Sequence, residues 1–199
     1  DTFTGFKFLA EKKDKLEGAG EGKVVFSYEE SYGYMLGDFV RDKDAVTASL
    51  ALTEMAAYYA SKGMTVLDAL NALYEKHGYY GEKTHNLVMP GLDGLKDMAK
   101  LMASLRQTPP REIAGVTVRQ FKDYQDGSVV DCATGETSAM ELSGSNVLRF
   151  ELADGTSIIV RPSGTEPKIK VYVLTKGKDA AERDANLAKY ASWVAELKP

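Results

Sequence analysis

The chain carries, at residues 161–172, the stretch RPSGTEPKIKVY, a polar turn between two apolar, strand-like runs. β-Branched residues at 156–160 precede the turn and an alternating run at 169–173 follows it, so we expect it where two neighbouring strands end. Arg161 offers a planar cation that can donate to two phosphate oxygens at once. Gly164 lets the backbone bend so that successive N–H groups point into one concavity. The stretch therefore predicts a phosphate-binding loop.

Other side chains of the same stretch add hydrogen-bond donors. Ser163 and Thr165 carry hydroxyl groups and Lys168 and Lys170 carry cations, while only Glu166 opposes them. The alternative is a plain hairpin connection, in which Ser, Gly, Thr and Pro serve only as turn residues. The density of donors favours the phosphate-binding interpretation.

Composition restricts the class of protein. A chain of 199 residues with 44% apolar and 27% charged residues is typical of a globular protein with one large or two small domains. The net charge of −4 argues against nucleic acid or a membrane surface as partner, so an anion site has to be local. The single Cys132, and a sequence without a membrane span or a signal peptide, predict a cytoplasmic protein.

The N-terminal half alternates between strand and helix patterns. A buried strand is predicted at 23–27, a loop at 28–34, and helices from about 42 to 63 and from 65 to 77. The first of these helices is apolar on several sides, which predicts burial. Glu29 and Glu30 follow the strand directly, where open α/β sheets bind ligands. The alternative is a solvated loop with two surface glutamates.

The C-terminal half is richer in strands. An extended stretch at 79–90 contains His85, which is expected either at the surface or at a contact between domains. The remaining predicted elements are a helix at about 93–106, a linker at Thr108-Pro109-Pro110, strands at 116–121, 147–152, 156–160 and 169–173, and a helix at 178–197. We predict an α/β domain at 1–107, followed at 108–199 by an α+β domain, a small mixed sheet with helices packed on one face.

Four stretches, in this order, resemble active-site loops of the α-D-phosphohexomutase family, the phosphoglucomutases and phosphomannomutases. They are Thr4-Gly5-Phe6-Lys7, Glu29-Glu30-Ser31, Arg41-Asp42-Lys43-Asp44 and Arg161 to Thr165. The resemblance covers nearly the whole chain. It implies that the chain is the C-terminal part of a mutase. The chain would contain the last part of the third domain, as a partial three-layer α/β domain, and all of the fourth domain. The N-terminal domains would lie elsewhere in the same protein.

The resemblance also implies a role for each matched residue. The phosphate that is not transferred would be held by Arg161, Ser163, Gly164, Thr165 and Lys170, and Lys43 would approach ligand phosphate. Glu29 and Ser31 would contact sugar hydroxyls, and Thr4 and Lys7 would lie beside the sugar.

The implied reaction interconverts hexose 1-phosphate and 6-phosphate through an enzyme phosphoserine and a glucose 1,6-bisphosphate-type intermediate, with Mg²⁺. The family's Thr-Ala-Ser-His-Asn-Pro type nucleophile loop and its Asp-x-Asp-x-Asp-Arg metal loop do not occur in these 199 residues. No catalytic residue and no metal ligand is therefore assigned, and the chain alone is expected to be inactive. The loop variant Glu-Glu-Ser-Tyr-Gly-Tyr favours glucose or a pentose over mannose. The alternative function is a stand-alone phosphate-binding or interaction module.

Overall fold

The computed structural model describes residues 2–37, 39–91, 93–164 and 166–197. Contacts within the chain divide it into two compact units, Asp1–Leu73 and Tyr74–Pro199. The sequence places the boundary at 107/108 instead. The stretch between these two positions forms a strand and a helix that pack within the second unit.

Over its described residues, the first unit contains three helices and one small hairpin. Its elements are α1 (Phe6–Gly18), β1 (Phe26–Tyr28), β2 (Tyr34–Leu36), α2 (Ala45–Ser61) and α3 (Val66–His77), the last four residues of α3 being counted with the second unit. β1 and β2 pair antiparallel, with Tyr28 opposite Tyr34. α2 begins at the N-cap residue Asp44, whose carboxylate accepts a hydrogen bond from the Val46 N–H.

Two predictions of burial are wrong for this unit. α2 has no buried residue, and its apolar side chains include Val46, which is 78% exposed. In β1, Ser27 is buried, whereas Phe26 and Tyr28 on either side of it are exposed. The physical reason is that the described residues of the first unit provide no layer to cover these sides of α2 and the hairpin.

The second unit is built on a large sheet. Its elements are β3 (Tyr79–Val88), α4 (Gly94–Gln107), β4 (Glu112–Ile113), β5 (Val116–Asp123), β6 (Ser128–Asp131), β7 (Thr137–Ala139), β8 (Leu148–Leu152), β9 (Ser157–Pro162), β10 (Lys168–Gly177) and α5 (Ala180–Glu196). The strand order is β3-β10-β9-β8-β5-β6-β7, with β4 paired to β5. Every strand pair between described residues is antiparallel, so the sheet is antiparallel rather than mixed.

The core of this unit lies between one face of the sheet and the helices α4 and α5. Alternation along β10 buries Ile169, Val171 and Val173 completely on the helix side, and leaves the residues between them partly exposed on the other side. From the helices, Met102 of α4 and Tyr190 of α5 are among the fully enclosed side chains. The hairpin of β9 and β10 is therefore anchored by one buried face, and its other face is partly exposed.

No helix of the described ranges combines the length and the apolar character needed to cross a lipid bilayer.

Candidate functional site

The polar turn within residues 161–172 connects β9 to β10. Arg161 lies opposite Lys170, and Pro162 lies opposite Ile169, in the antiparallel register. The Ser163 N–H donates to the Lys168 carbonyl over 2.8 Å, which closes the loop at its base. The prediction of a turn at the end of two paired strands is confirmed.

Arg161 and Lys170 place two cations side by side. Residues directly opposite on antiparallel strands point to the same face, and like charges there destabilise the pair. Among the described residues, no carboxylate forms an ion pair with either side chain. An anion bound between them would remove this repulsion.

The Arg161 side chain also contains a buried hydrogen-bond donor, Nε, without an acceptor among the described residues. A buried donor without an acceptor costs free energy, and this cost is larger for a charged group. A phosphate oxygen is an acceptor of suitable charge and geometry for a guanidinium group.

The rest of the loop is polar and compact. The Ser163 Oγ accepts from the Glu166 N–H at 3.3 Å, and the Glu166 carboxylate pairs with the Lys168 ammonium group. A Cβ added at Gly164 would meet no atom within 4 Å, so space is open on that side of the loop. Thr165 lies outside the described residues.

Residues at and just before the start of α4 pack against Pro167, at the C-terminal end of the loop. The Met89 N–H donates to the Pro167 carbonyl over 2.8 Å. A Cβ at Gly94 would lie 2.1 Å from the Met89 carbonyl oxygen and 3.1 Å from the Pro167 Cβ, so only glycine allows this approach. Sequence reasoning missed these supporting residues; the Pro90-Gly91 dipeptide before the helix is a signal that could have indicated a turn there.

A cleft of about 920 Å³ in the second unit lies at the other end of the β9–β10 hairpin. Arg149, Ser157 and Lys176 are among its lining residues, and none of the predicted site residues is. The phosphate loop is thus an open surface feature of its unit rather than part of this cleft.

In the first unit, the structure brings Glu29 and Lys43 together. The Glu29 N–H donates to the Gly33 carbonyl at 3.0 Å, closing a loop of residues 30–32. A Cβ at Gly33 would lie 2.6 Å from Glu29 Oε1 and 2.5 Å from Lys43 Cδ, so both side chains pack over this glycine. The hydrogen bond with Asp42, and the charges of Asp42 and Glu29, raise the pKa of Lys43 above its ordinary value, and burial opposes the rise.

Lys43 also reaches the stretch at residues 4–7. Its Nζ lies 4.9 Å from the ring centroid of the buried Phe6, a cation–π contact. Three of the four predicted loops therefore meet in the first unit.

Thr4 and Lys7 are exposed, and the Lys7 ammonium group lies over the ring of Phe8. The Ser31 Oγ donates to Glu30 Oε1 at 3.3 Å.

The loop that carries Lys43 is tied to α1. Arg41 Nη1 donates to Asp14 Oδ2 over 2.6 Å. Sequence reasoning missed Asp14, because the helix on which it lies was not predicted.

Among the described residues, no group of three or more His, Cys, Asp and Glu side chains is placed to hold a metal ion. The residues that the structure describes therefore do not fit the Mg²⁺ that the resemblance implies, and no step is assigned to a metal here.

Comparison with family models places both units. Residues 1–77 match the model for the phosphoglucomutase/phosphomannomutase alpha/beta/alpha domain III, and residues 86–187 match the model for the C-terminal domain of the same enzymes. The chain belongs to the phosphoglucomutase/phosphomannomutase family. The predicted family, and the predicted order of an α/β part followed by an α+β part, are confirmed.

Individual relatives agree with this family assignment. The phosphoglucomutase of Staphylococcus aureus strain N315 is 37% identical over 179 residues, which are 90% of this chain and 32% of the relative. That of the bovine strain RF122 is 38% identical over 176 residues, 88% of this chain and 31% of the relative. The chain spans about a third of the length of these curated relatives.

A solved structure shares the fold. The open form of the exocytosis-sensitive phosphoprotein pp63/parafusin from Paramecium, described as a phosphoglucomutase, aligns with a TM-score of 0.57 at 19% identity. The alignment covers 98% of this chain and 34% of the Paramecium chain.

Proposed function

We propose that this chain is the sugar- and phosphate-binding C-terminal part of a phosphosugar mutase. The whole protein would interconvert a hexose 1-phosphate and 6-phosphate, with glucose as the sugar, through an enzyme phosphoserine and a glucose 1,6-bisphosphate-type intermediate. Mg²⁺ and the phosphoserine would be held by parts of the protein outside these residues. The observation that carries the proposal is the opposed pair Arg161 and Lys170: among the described residues it has no carboxylate partner, and the buried Nε donor of Arg161 has no acceptor.

The chemistry of a mutase requires a phosphate-binding site of this kind. The same sugar phosphate has to bind in two orientations, because the group that reacts in one half of the cycle is the distal group in the other. A distal-phosphate site that is independent of the reacting end holds the substrate in either orientation, and orientation supplies much of the rate in phosphoryl transfer. Arg161, Ser163, Gly164, Thr165 and Lys170 would form this site.

The sugar would be held by residues of the first unit. The Glu29 carboxylate accepts hydrogen bonds from hydroxyl groups, and the Ser31 hydroxyl can donate or accept. Thr4 and Lys7 would lie beside the sugar, and Lys43 would contact phosphate. The packing of Glu29 and Lys43 over Gly33 supports this assignment, because it holds an acceptor and a cation side by side.

The missing N-terminal domains of the same protein would be a partner of this chain. Large apolar side chains are exposed in the first unit, among them Val46, Leu50, Leu67, Leu73 and Phe26. Exposed apolar area of this kind marks a surface that is covered in the functional protein. We expect a cytoplasmic enzyme that has a phosphosugar substrate and binds neither nucleic acid nor membrane.

The test is an assay of the full-length protein with glucose 1-phosphate, mannose 1-phosphate and ribose 1-phosphate, each followed by ³¹P NMR. Interconversion with the highest kcat/KM for the glucose compound is expected. Glu29→Gln should lower kcat/KM, and residues 1–199 alone should be inactive. Absence of interconversion with all three sugars would refute the proposal. If inorganic phosphate still bound at Arg161, the stand-alone phosphate-binding module would be favoured.

A further inference from the structure

Tyr32 has an unusual backbone conformation. Its φ is 64°, in the left-handed region, and Ala114 is the other described non-glycine residue with a positive φ. The left-handed conformation brings Cβ close to the following carbonyl oxygen, so it is unfavourable for residues that carry a side chain, and a bulky residue there is an outlier.

The hairpin geometry accounts for the conformation but not for the tyrosine. Tyr28 and Tyr34 are paired, and the Glu29 N–H bonds to the Gly33 carbonyl, so residues 30–32 form a three-residue loop. The third residue of such a loop is commonly left-handed, and glycine is the usual choice there. In this chain the glycine comes one position later, at Gly33, where a Cβ would collide with Glu29 and Lys43.

The Tyr32 side chain gains nothing from packing that would offset the strain. It is 81% exposed, and none of the ring stacking or cation–π contacts between described residues involves it. An aromatic residue that is both strained and exposed lowers stability, and such residues cluster at functional sites. Tyr32 directly follows Ser31 in the loop between Glu29 and Gly33.

We propose that Tyr32 covers the C–H face of the sugar ring and is a specificity-determining contact. This inference rests on the proposed function. A pyranose has hydroxyl groups around its edge, which suit Glu29 and Ser31, and apolar C–H faces, which need an apolar surface to exclude water. A tyrosine ring supplies a large, rigid surface at a low cost in side-chain entropy.

The deciding variant in the full-length protein is Tyr32→Asn, because asparagine tolerates the left-handed conformation and lacks the ring. The KM for glucose 1-phosphate should rise about tenfold, ~1.4 kcal/mol of binding. Inhibition by inorganic phosphate should be unchanged, because the ring contacts sugar and not phosphate. The thermal unfolding midpoint should not fall, since the backbone strain is relieved. Tyr32→Phe should lose less than Tyr32→Asn.

The matched control is Tyr80→Asn, which removes a tyrosine that is 55% exposed in the second unit; its kinetics should equal those of the wild type. An unchanged KM in Tyr32→Asn would overturn the inference. A parallel loss of phosphate inhibition and of thermal stability would also overturn it, because it would show that Tyr32 is covered by protein instead. Both outcomes require an active wild type, whereas an inactive wild type would refute the proposed function itself.

Discussion

Arg161 of β9 and Lys170 of β10 lie directly opposite each other in the antiparallel register of the C-terminal sheet. The pair is held there by the buried face of the hairpin, where Val160 and Val171 are fully enclosed. Packing of the buried face thus keeps two like charges on the same face of the sheet, where they repel each other. The pairing of these strands makes the cations available to an anion.

Removal of the Arg161 guanidinium group should weaken catalysis more than stability. In the full-length protein, Arg161→Ala is expected to lower kcat/KM for glucose 1-phosphate about 10²-fold, at ~1.4 kcal/mol per decade, because one charge-assisted phosphate contact is lost. Steady-state kinetics measure the effect. Lys176→Ala, at the opposite end of β10, is the control and should leave kcat/KM near the wild-type value. An equal kcat/KM for Arg161→Ala and wild type would show that the loop holds no substrate phosphate.

Removal of the Lys170 charge should have opposite effects with and without phosphate. Lys170→Gln should raise the free energy of unfolding by about 0.2–1 kcal/mol in phosphate-free buffer, because the repulsion with Arg161 disappears. Inorganic phosphate at ten times its Kd should add ~1.4 kcal/mol to the wild type, and clearly less to the variant. Urea unfolding in phosphate, and in chloride of equal ionic strength, separates binding from screening. A wild type that is stabilised equally by both salts would contradict the prediction.

Gly94 should tolerate no side chain. Gly94→Ala is expected to lower the free energy of unfolding by about 1–3 kcal/mol, because the added Cβ would meet the Met89 carbonyl, a backbone atom that cannot easily move. Phosphate affinity should fall as well, since Pro167 is displaced. Gly18→Ala at the end of α1 is the control: its Cβ would meet nothing within 4 Å, so its stability should stay within about 0.5 kcal/mol. Similar stabilities of the two variants would rule out the tight approach.

His85 should make stability depend on pH. Burial, and to a lesser extent the charge of Lys83, lower the pKa of His85 below its ordinary value of 6.5. Its Nε2 atom is buried and has no hydrogen-bond partner among the described residues. As the pH falls below about 6.5, the unfolded chain takes up this proton before the folded protein does, so stability decreases until the folded pKa is reached. Above that window the contribution is constant.

Urea unfolding midpoints across this pH window test the prediction. The decrease should be smaller in His85→Gln than in the wild type, while His77→Gln serves as the control with the second histidine of the chain. An identical pH profile for His85→Gln and wild type would show that another group is responsible.

The C-terminal elements could be predicted because their patterns are local. The strands predicted at 147–152, 156–160 and 169–173 and the helix predicted at 178–197 correspond to β8, β9, β10 and α5, within a few residues. α1 could not be recognised in the same way. Phe6 is its only buried apolar residue, and charged side chains occupy most of the positions after its first turn. Short strands such as β7, with three exposed residues, have no period-2 pattern to detect.

Contacts between elements that are distant in the sequence could not be predicted. Pro109 and Pro110 do interrupt the chain, but no local signal shows that β3 pairs along the whole of β10. The prediction of burial for α2 and β1 was wrong for a different reason. An apolar pattern indicates that a surface is favourable to bury, but it does not show which residues pack against it, and those residues can lie outside this chain. In the candidate site, residue types indicated Arg161 and Glu29, whereas the roles of Gly33 and Gly94 depend on distances that only a folded structure provides.

The pairing of β3 with β10 determines how this protein should be shortened for binding studies. A protein trimmed to begin at Thr108 would turn β10 into the edge of the sheet and strip away the core side chains of α4, among them Met98 and Met102. A bare strand of ten residues is prone to pair with other chains, so such a protein is expected to aggregate. One trimmed to begin near Tyr74 would keep the sheet closed on that side and the phosphate loop in place, at less than two thirds of the present length.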